Sequence, residues 1–174
     1  MAIALRASQL LFNHPLEEEA AGNAAFVLDE CTLFHVDKSY AAKSMKRSHR
    51  CSTRSINSFE RKNIYSSNNG SAGLKALYGI LQGGIHEDLR DESIDFNLNS
   101  KNFFGLAIGG SLGSSKEEMY KVVKYTSSKL KNNHPVHLLG IGDPSDIWNL
   151  VRWGIDTFDC VSPTRLARHG AALT

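Results

Sequence analysis

Three polar side chains stand where apolar runs end: Asp29, Gln82 and Asp159. The segments after five such runs are Asp29-Glu30-Cys31, Gln82-Gly83-Gly84, Gly109-Gly110-Ser111, Gly142-Asp143-Pro144 and Asp159-Cys160-Val161, the last followed by Pro163-Thr164-Arg165. Turns account for the glycines but not for an amide and two carboxylates. Singly, a carboxylate in such a place caps the next helix. Together the three make a purine site. One carboxylate accepts from a ring N–H and the exocyclic amino group of a guanine-like edge. A glutamine amide and a backbone N–H read its O6, and a second carboxylate serves as nucleophile or acid/base. Glycines let the backbone approach a flat ligand.

The other reactive side chains are less informative. Cys31 and Cys160 adjoin these carboxylates, but no histidine has an obvious partner spacing, so both read as buried small residues. The seven histidines show no metal spacing, and surface roles are expected for His35 and His169. Gly79 to Gly84 is no phosphate loop, because no Gly-Lys-Ser/Thr follows. Three cysteines without a CxxC pair disfavour a disulfide framework and suit a reducing cytoplasm.

The elements that must hold these groups follow from patterning. The apolar runs 24–28, 76–81, 103–108, 136–141 and 155–161 predict five strands. Their unbroken apolar character fits parallel strands covered on both faces. Met119, Val122, Val123, Thr126 and Leu130 form one stripe of a helix over 115–130, with a capping box from Ser114 or Ser115. A helix over 144–153 is capped by Asp143, opened by Pro144 and closed by Gly154. Helices are also predicted over 38–62, weakened in its middle by Ser48 and Ser52, and over 87–97. Residues 63–73 read as a loop. Strand–helix alternation implies right-handed crossovers and an α/β parallel sheet, either doubly wound or part of a barrel. Both place active groups beyond the C-terminal strand ends.

The 174 residues, 41% hydrophobic and 22% charged, exclude a disordered chain. No apolar run approaches a membrane span of about 18 residues. The net charge of +2 conceals an asymmetry. Residues 1–37 carry six acids and one base, whereas residues 38–62 carry eight bases and one acid. A basic segment of this kind can bind a phosphate backbone, although a solvated helix face is the ordinary reading.

Five strings in order resemble the tRNA-guanine transglycosylases (queuine tRNA-ribosyltransferases): residues 28–32 (Leu-Asp-Glu-Cys-Thr), 78–84 (Tyr-Gly-Ile-Leu-Gln-Gly-Gly), 107–110 (Ala-Ile-Gly-Gly), 139–142 (Leu-Gly-Ile-Gly) and 154–165 (Gly-Ile-Asp-Thr-Phe-Asp-Cys-Val-Ser-Pro-Thr-Arg). The resemblance runs from about residue 24 to the end. It implies a partial TIM (β/α)8 barrel, with these strands as the fourth to eighth. It also implies exchange of guanine at the wobble position of GUN-anticodon tRNAs for a 7-deazaguanine base, preQ1 or queuine, in queuosine biosynthesis. Asp159 matches the nucleophile, which would form a covalent aspartyl–tRNA intermediate. Asp29, Gln82, Gly109 and Gly110 match purine-binding residues, and Cys31 and Leu139 line that pocket. Gly140, Ile141, Gly142, Asp143, Pro144, Ser145 and Asp146 match an RNA-contacting loop. Thr164, Arg165, Leu166, Ala167 and Arg168 match a segment that recognises the wobble region.

The resemblance implies tRNA and a deazaguanine base as partners, a homodimer or a partner subunit, a cytoplasmic location and no membrane. The chain departs from the family in three ways. The Asp-Ser-Gly-Gly-Phe-Gln stretch with the acid/base aspartate has no counterpart in residues 1–23, which stay unassigned. The ligands of the family's structural zinc, a Cys-x-Cys-x-x-Cys string and a later His, are absent from this chain. Ser111 stands where many bacterial members carry Leu, which leaves preQ1 and queuine both open. A closed barrel needs about 250 residues. Residues 24–174 therefore read as the C-terminal half of a transglycosylase barrel ending before the zinc region. The competing readings are a non-catalytic tRNA- or partner-binding subunit and an inactive remnant.

Overall fold

The computed structural model describes residues 24–68, 76–100, 103–130 and 134–172. Strands and helices alternate through them: β1 (Ala24–Phe26), α1 (Lys38–Asn68), β2 (Ala76–Leu81), α2 (Glu87–Asn99), β3 (Gly105–Ile108), α3 (Lys116–Lys129), β4 (Val136–Leu138), α4 (Pro144–Val151), β5 (Thr157–Phe158) and α5 (Ser162–Arg168). The five strands form one parallel sheet in the order β1-β2-β3-β4-β5. A doubly wound sheet reverses direction at a switch point. Here every crossover steps the same way, and right-handed crossovers then put the helices on one face. The result is a half-barrel of the TIM type.

The strands pair over shorter stretches than the apolar runs suggest, except β2, which spans the expected residues. At their C-terminal ends the chains leave the ladder to build loops. Single bonds continue just beyond it, from Val27 N to Tyr78 O at 3.1 Å and from Gly109 N to Leu81 O at 3.0 Å. Residues flanking the strands stay apolar because the core needs them: Val27, Phe103 and Ile155 are all buried.

Register and the two-residue alternation of strands divide the sheet into two faces. Leu77, Leu81, Leu106, Ile108, Val136 and Leu138 form the layer that joins Ile94, Met119, Val123 and Leu150 of the helices in one core. The opposite face begins with Phe26, Tyr78 and Gly105, which lie in register, and with Ala107, His137 and Thr157, which also do. Two residues beyond the row Ile80, Ala107, His137 and Thr157 come Gln82, Gly109, Leu139 and Asp159. Four of the chemistry-bearing positions thus share one face at one end of the sheet.

The helices obey local rules. On α3, Met119, Val122, Val123 and Thr126 are buried, as is Leu130 just beyond it. Ser115 Oγ accepts from Glu118 N at 3.2 Å, while the returning bond reaches Ser114 N at 2.7 Å, one residue earlier than in a capping box. Asp143 caps α4 by accepting from Ser145 N at 2.9 Å. The helix ends at Val151, short of the expected Trp153. Two expectations need correction. First, residues 63–68 continue α1 rather than forming a loop; a helix already nucleated extends through Asn and Ser at a cost of only tenths of a kcal/mol each. Residues 69–73 of the expected loop, and the unassigned segment 1–23, lie outside the described residues. Second, Ser48 and Ser52 do not mark a weak middle. They are buried with Ser44 and Ser55 on the face that meets the sheet. Ser55 Oγ accepts from Leu28 N at 3.2 Å, Ser48 Oγ accepts from Glu30 N at 2.9 Å, and Ser44 Oγ donates to Glu30 O at 2.9 Å. Small hydroxyls thereby satisfy the backbone just after β1, where ladder partners have run out.

His49 joins α1 to α2. Its ring stacks on Phe96 at 4.0 Å and 9°, and Nε2 lies 3.3 Å from Ser93 Oγ. Burial, with help from Lys46, lowers its pKa to about 4. The folded state therefore keeps His49 neutral, while the unfolded chain takes up a proton near pH 6.5. This contribution is fully present above pH 6.5 and is lost as pH falls toward 4. Urea denaturation is expected to show wild-type stability falling by about 2 kcal/mol between pH 7 and pH 5, before most carboxylates titrate, with His49→Asn removing most of that slope. An equal slope in the variant would contradict this assignment.

Candidate active site

Asp29 follows β1, and Gln82 is the first residue beyond β2. Gln82 Nε2 donates to Asp29 Oδ2 at 2.6 Å. Gln82 is 2% exposed, and its own backbone N–H donates to Ser93 Oγ at 2.9 Å. Burial pushes the Asp29 carboxyl above the usual range, with the Gln82 bond opposing. Beyond β3, Gly110 adopts φ 74°. A Cβ there would come within 2.5 Å of Gln82 Oε1. A Cβ on Gly109 would meet Ile80 Cγ2 at 2.8 Å and Leu139 Cδ1 at 3.1 Å. The structure therefore brings Asp29, Gln82, Gly109, Gly110 and Leu139 together, as expected.

The cysteines depart from expectation. Cys31 is exposed and Cys160 half-buried. Cys31 lies past the last paired residue of β1, where the chain heads into a surface turn. It still lines the cluster: partial desolvation and then Asp29 push its thiol up, while the charge of Arg90 and then a backbone bond from Gly110 oppose them. Cys160 packs where a Cβ on Gly142 would lie, within 2.2 Å of its own Cβ, and its Sγ accepts from Ser162 N at 3.3 Å.

Asp159 follows β5, with its side chain 42% exposed. Its Oδ1 accepts from Gly140 N at 2.8 Å and lies 3.2 Å from His137 Nε2. The His137 bond, followed by the Gly140 N–H, holds this carboxyl below its ordinary range against partial burial. It is therefore ionised at neutral pH. His137 Nδ1 lies 2.8 Å from Thr157 Oγ1, and the ring is flanked by Phe26 at 5.0 Å. Sequence reasoning missed His137, because its partner stands 22 residues away. Strand register would have found it: His137 pairs with Thr157, and Asp159 lies two residues on, on the same face.

Of the remaining expected residues, Gly140 bonds Asp159 and Gly142 packs on Cys160, and the others lie outside these contacts. In the loop 140–146, Gly140, Asp143, Pro144 and Ser145 are exposed, and Ile141 and Gly142 are half-buried. Asp146 is buried and accepts from Tyr120 OH at 2.7 Å and Lys116 Nζ at 3.1 Å. Thr164, Arg165, Ala167 and Arg168 are exposed on α5, and Leu166 is half-buried.

Arg90 was also missed. It sits on α2, is 1% exposed, and meets no carboxylate among the described residues. Nε donates to Gly84 O at 2.8 Å, Nη1 to Leu81 O at 3.1 Å and Gly109 O at 2.9 Å, and Nη2 to Ser111 O at 3.2 Å. Burial lowers its pKa to about 10, so it stays charged at neutral pH. One guanidinium thus fixes the ends of β2 and β3 and the two glycine-bearing segments that follow them, at Gly84 and at Gly109 to Ser111.

Among the described residues no three His, Cys, Asp or Glu side chains gather into a set that could hold a metal ion. The zinc implied by the resemblance has no fitting donor set there. No described helix is long and apolar enough to cross a membrane.

The model of the queuine tRNA-ribosyltransferase family matches residues 17–174. The chain is 39% identical over 156 residues to a queuine tRNA-ribosyltransferase of Photobacterium profundum, covering 89% of this chain and 39% of that protein. It is 42% identical over 153 residues to one of an Azoarcus species, covering 87% and 39%. With one of Dechloromonas aromatica the identity is 44% over 149 residues, covering 85% and 38%. The chain spans about two-fifths of the length of these relatives.

Replacing Arg90 by Met takes the donor from the carbonyls of Gly84, Gly109 and Ser111, while Leu81 O keeps its bond from Gly109 N. Urea denaturation of Arg90→Met is expected to show a loss of about 3–5 kcal/mol, and Arg90→Lys to recover less than half of it. A loss below about 1 kcal/mol would show that the loops hold without the guanidinium.

Proposed function

Because the chain belongs to the queuine tRNA-ribosyltransferase family, we propose that the strand-end face exchanges a base in tRNA. The observation that carries this is the ionised Asp159 on the same sheet face as Gln82, Gly109 and Leu139. Among the described residues, the partners of its carboxylate converge on Oδ1, which leaves Oδ2 to attack.

The substrate is the wobble guanosine of a GUN-anticodon tRNA. The guanine edge lies against the hydrogen-bonded pair of Asp29 and Gln82. Asp29 accepts from N1–H and the exocyclic amino group. The second amide hydrogen of Gln82, not engaged by Asp29, donates to O6. Gly109 and Gly110 let Gln82 and Leu139 close in on the purine, Leu139 packs on its plane, and Cys31 lines the edge. Asp159 Oδ2 attacks ribose C1′ as the C1′–N9 bond breaks and its electron pair leaves with guanine. Guanine takes up a proton on departure. A 7-deazaguanine then gives up its N9 proton and attacks C1′, which releases the aspartate. Two displacements retain configuration at C1′. Arg165 and Arg168, both exposed, and the loop from Gly140 to Asp146 contact the RNA beside the base.

Denaturing gel electrophoresis of the chain with a GUN-anticodon tRNA transcript tests this. The wild type is expected to give a slowly migrating covalent species. Asp159→Asn is expected to reduce it at least about 100-fold, while noncovalent tRNA affinity stays within about threefold. A species that survives the substitution, or none from the wild type, would contradict the proposal.

A further inference from the structure

We propose that the solvent face of α1 is a docking surface for the phosphate backbone of a helical RNA stem. Lys43, Lys46, Arg50, Arg54 and Arg61 are all exposed. At 3.6 residues per turn they fall within an arc of about 80° and extend about 27 Å along the helix. Ala41, Met45, Ser48, Ser52 and Ile56 occupy the buried side. Among the described residues of the helix the one acid, Glu60, falls outside this arc, about 40° beyond Lys46. The other two bases of the helix whose side chains are described are already paired. Arg47 makes a two-pronged contact with Glu30, and Lys38 meets Asp88 at 2.7 Å. Within the arc, Arg54 Nη2 touches Cys51 Sγ at 2.9 Å and Arg61 Nε donates to Asn57 O at 3.1 Å, which neutralises neither.

An ordinary solvated helix face interleaves its charges, and α3 does so: Glu117 and Glu118 both feel Lys121, and Lys129 meets Asp91 of α2 at 2.7 Å. On α1, Lys43 with Lys46, Lys46 with Arg50, and Arg50 with Arg54 are three or four residues apart, where like charges oppose the helix. The helix retains that repulsion along five turns. A polyanion would relieve it, and duplex phosphates supply a matching row of charge.

The place fits RNA. The first turns of α1 bond to the segment after β1: Tyr40 OH to Glu30 Oε1 at 3.1 Å, and Ser44 and Ser48 to the Glu30 backbone. The basic row therefore starts beside Asp29 and runs away from it down the outside of the half-barrel. A tRNA whose wobble base occupies the site can lay a stem along this row. The choice of RNA as the polyanion rests on the function proposed above.

Fluorescence anisotropy with an unmodified GUN-anticodon tRNA transcript, between 50 and 200 mM salt, tests the surface with the full chain. The triple variant Lys43→Gln, Arg50→Gln, Arg54→Gln is expected to bind at least about tenfold more weakly at 100 mM salt. The slope of log affinity against log salt should fall by about 2–3, near 0.9 per lost phosphate contact. The control triple Lys121→Gln, Lys124→Gln, Arg152→Gln should change neither, and both triples should melt cooperatively. Equal losses in both triples, or an unchanged slope in the α1 triple, would overturn the proposal. So would sedimentation showing that the α1 triple only dissolves a dimer with tRNA affinity intact, since α2 is acid-rich and a second copy would then be the partner. Absence of tRNA binding by the wild type would also overturn it. Slope-dependent binding without covalent capture would sustain this surface and contradict the enzyme reading alone. Capture with an unaltered α1 triple would do the reverse.

Discussion

Four backbone carbonyls at the ends of β2 and β3 share one guanidinium, that of Arg90. Parallel strands leave their last carbonyls pointing into loops, and buried carbonyls need donors. A rigid fork of donors meets that need in a way a flexible ammonium does not. By holding Leu81, Gly84, Gly109 and Ser111 together, Arg90 sets the separation between Gln82 and Gly110. Gln82 then reaches Asp29, and the serines of α1 hold the segment that carries Asp29. Asp29, Gln82 and Gly110 therefore rest on a chain of backbone satisfaction that starts at one buried cation.

The second half of the site depends on register. Because β4 and β5 pair His137 with Thr157, a strand continuing by two residues brings Asp159 level with Leu139 and Gly140. The Gly140 amide and the imidazole then bind the same carboxylate oxygen. This arrangement keeps the group ionised and restrains its rotation, which are the two properties a carboxylate nucleophile needs. The stepwise strand order places both halves at one rim, as in barrel enzymes generally.

Much of this was legible in the sequence. Apolar runs marked all five strands and the limits of β2, and the stripe of α3 was read correctly because Met119, Val122, Val123, Thr126 and Leu130 all face one core. Patterning alone leaves the strand order open, since doubly wound and singly wound sheets share the same alternation, and the family resemblance supplied it as consecutive barrel strands. Asp29, Gln82 and Asp159 stood out because polar groups abut apolar runs, and Gly110 because paired glycines follow the third run. Arg90 did not, because a charged residue among Glu87, Asp88, Asp91 and Glu92 reads as solvent face. His137 looked like a polar interruption in an apolar run, its partner being visible only across a strand pair. The serines of α1 looked like weak helix formers, although their small size is what lets α1 approach the backbone after β1. Cys31 and Cys160 were read as core from residue type alone, whereas loop position put both toward the surface.

If Asp29, Gln82, Gly110, Leu139 and the Asp159 rim form one purine site on one sheet face, guanine alone should find it. Amide chemical-shift mapping of the isotopically labelled chain during titration with guanine tests this most directly. Saturable shifts are expected at residues 29–31, 82–84, 109–111 and 139–140, with α1 beyond its first turns unmoved. Shifts centred elsewhere, or split between sites with different saturation, would contradict a single purine site.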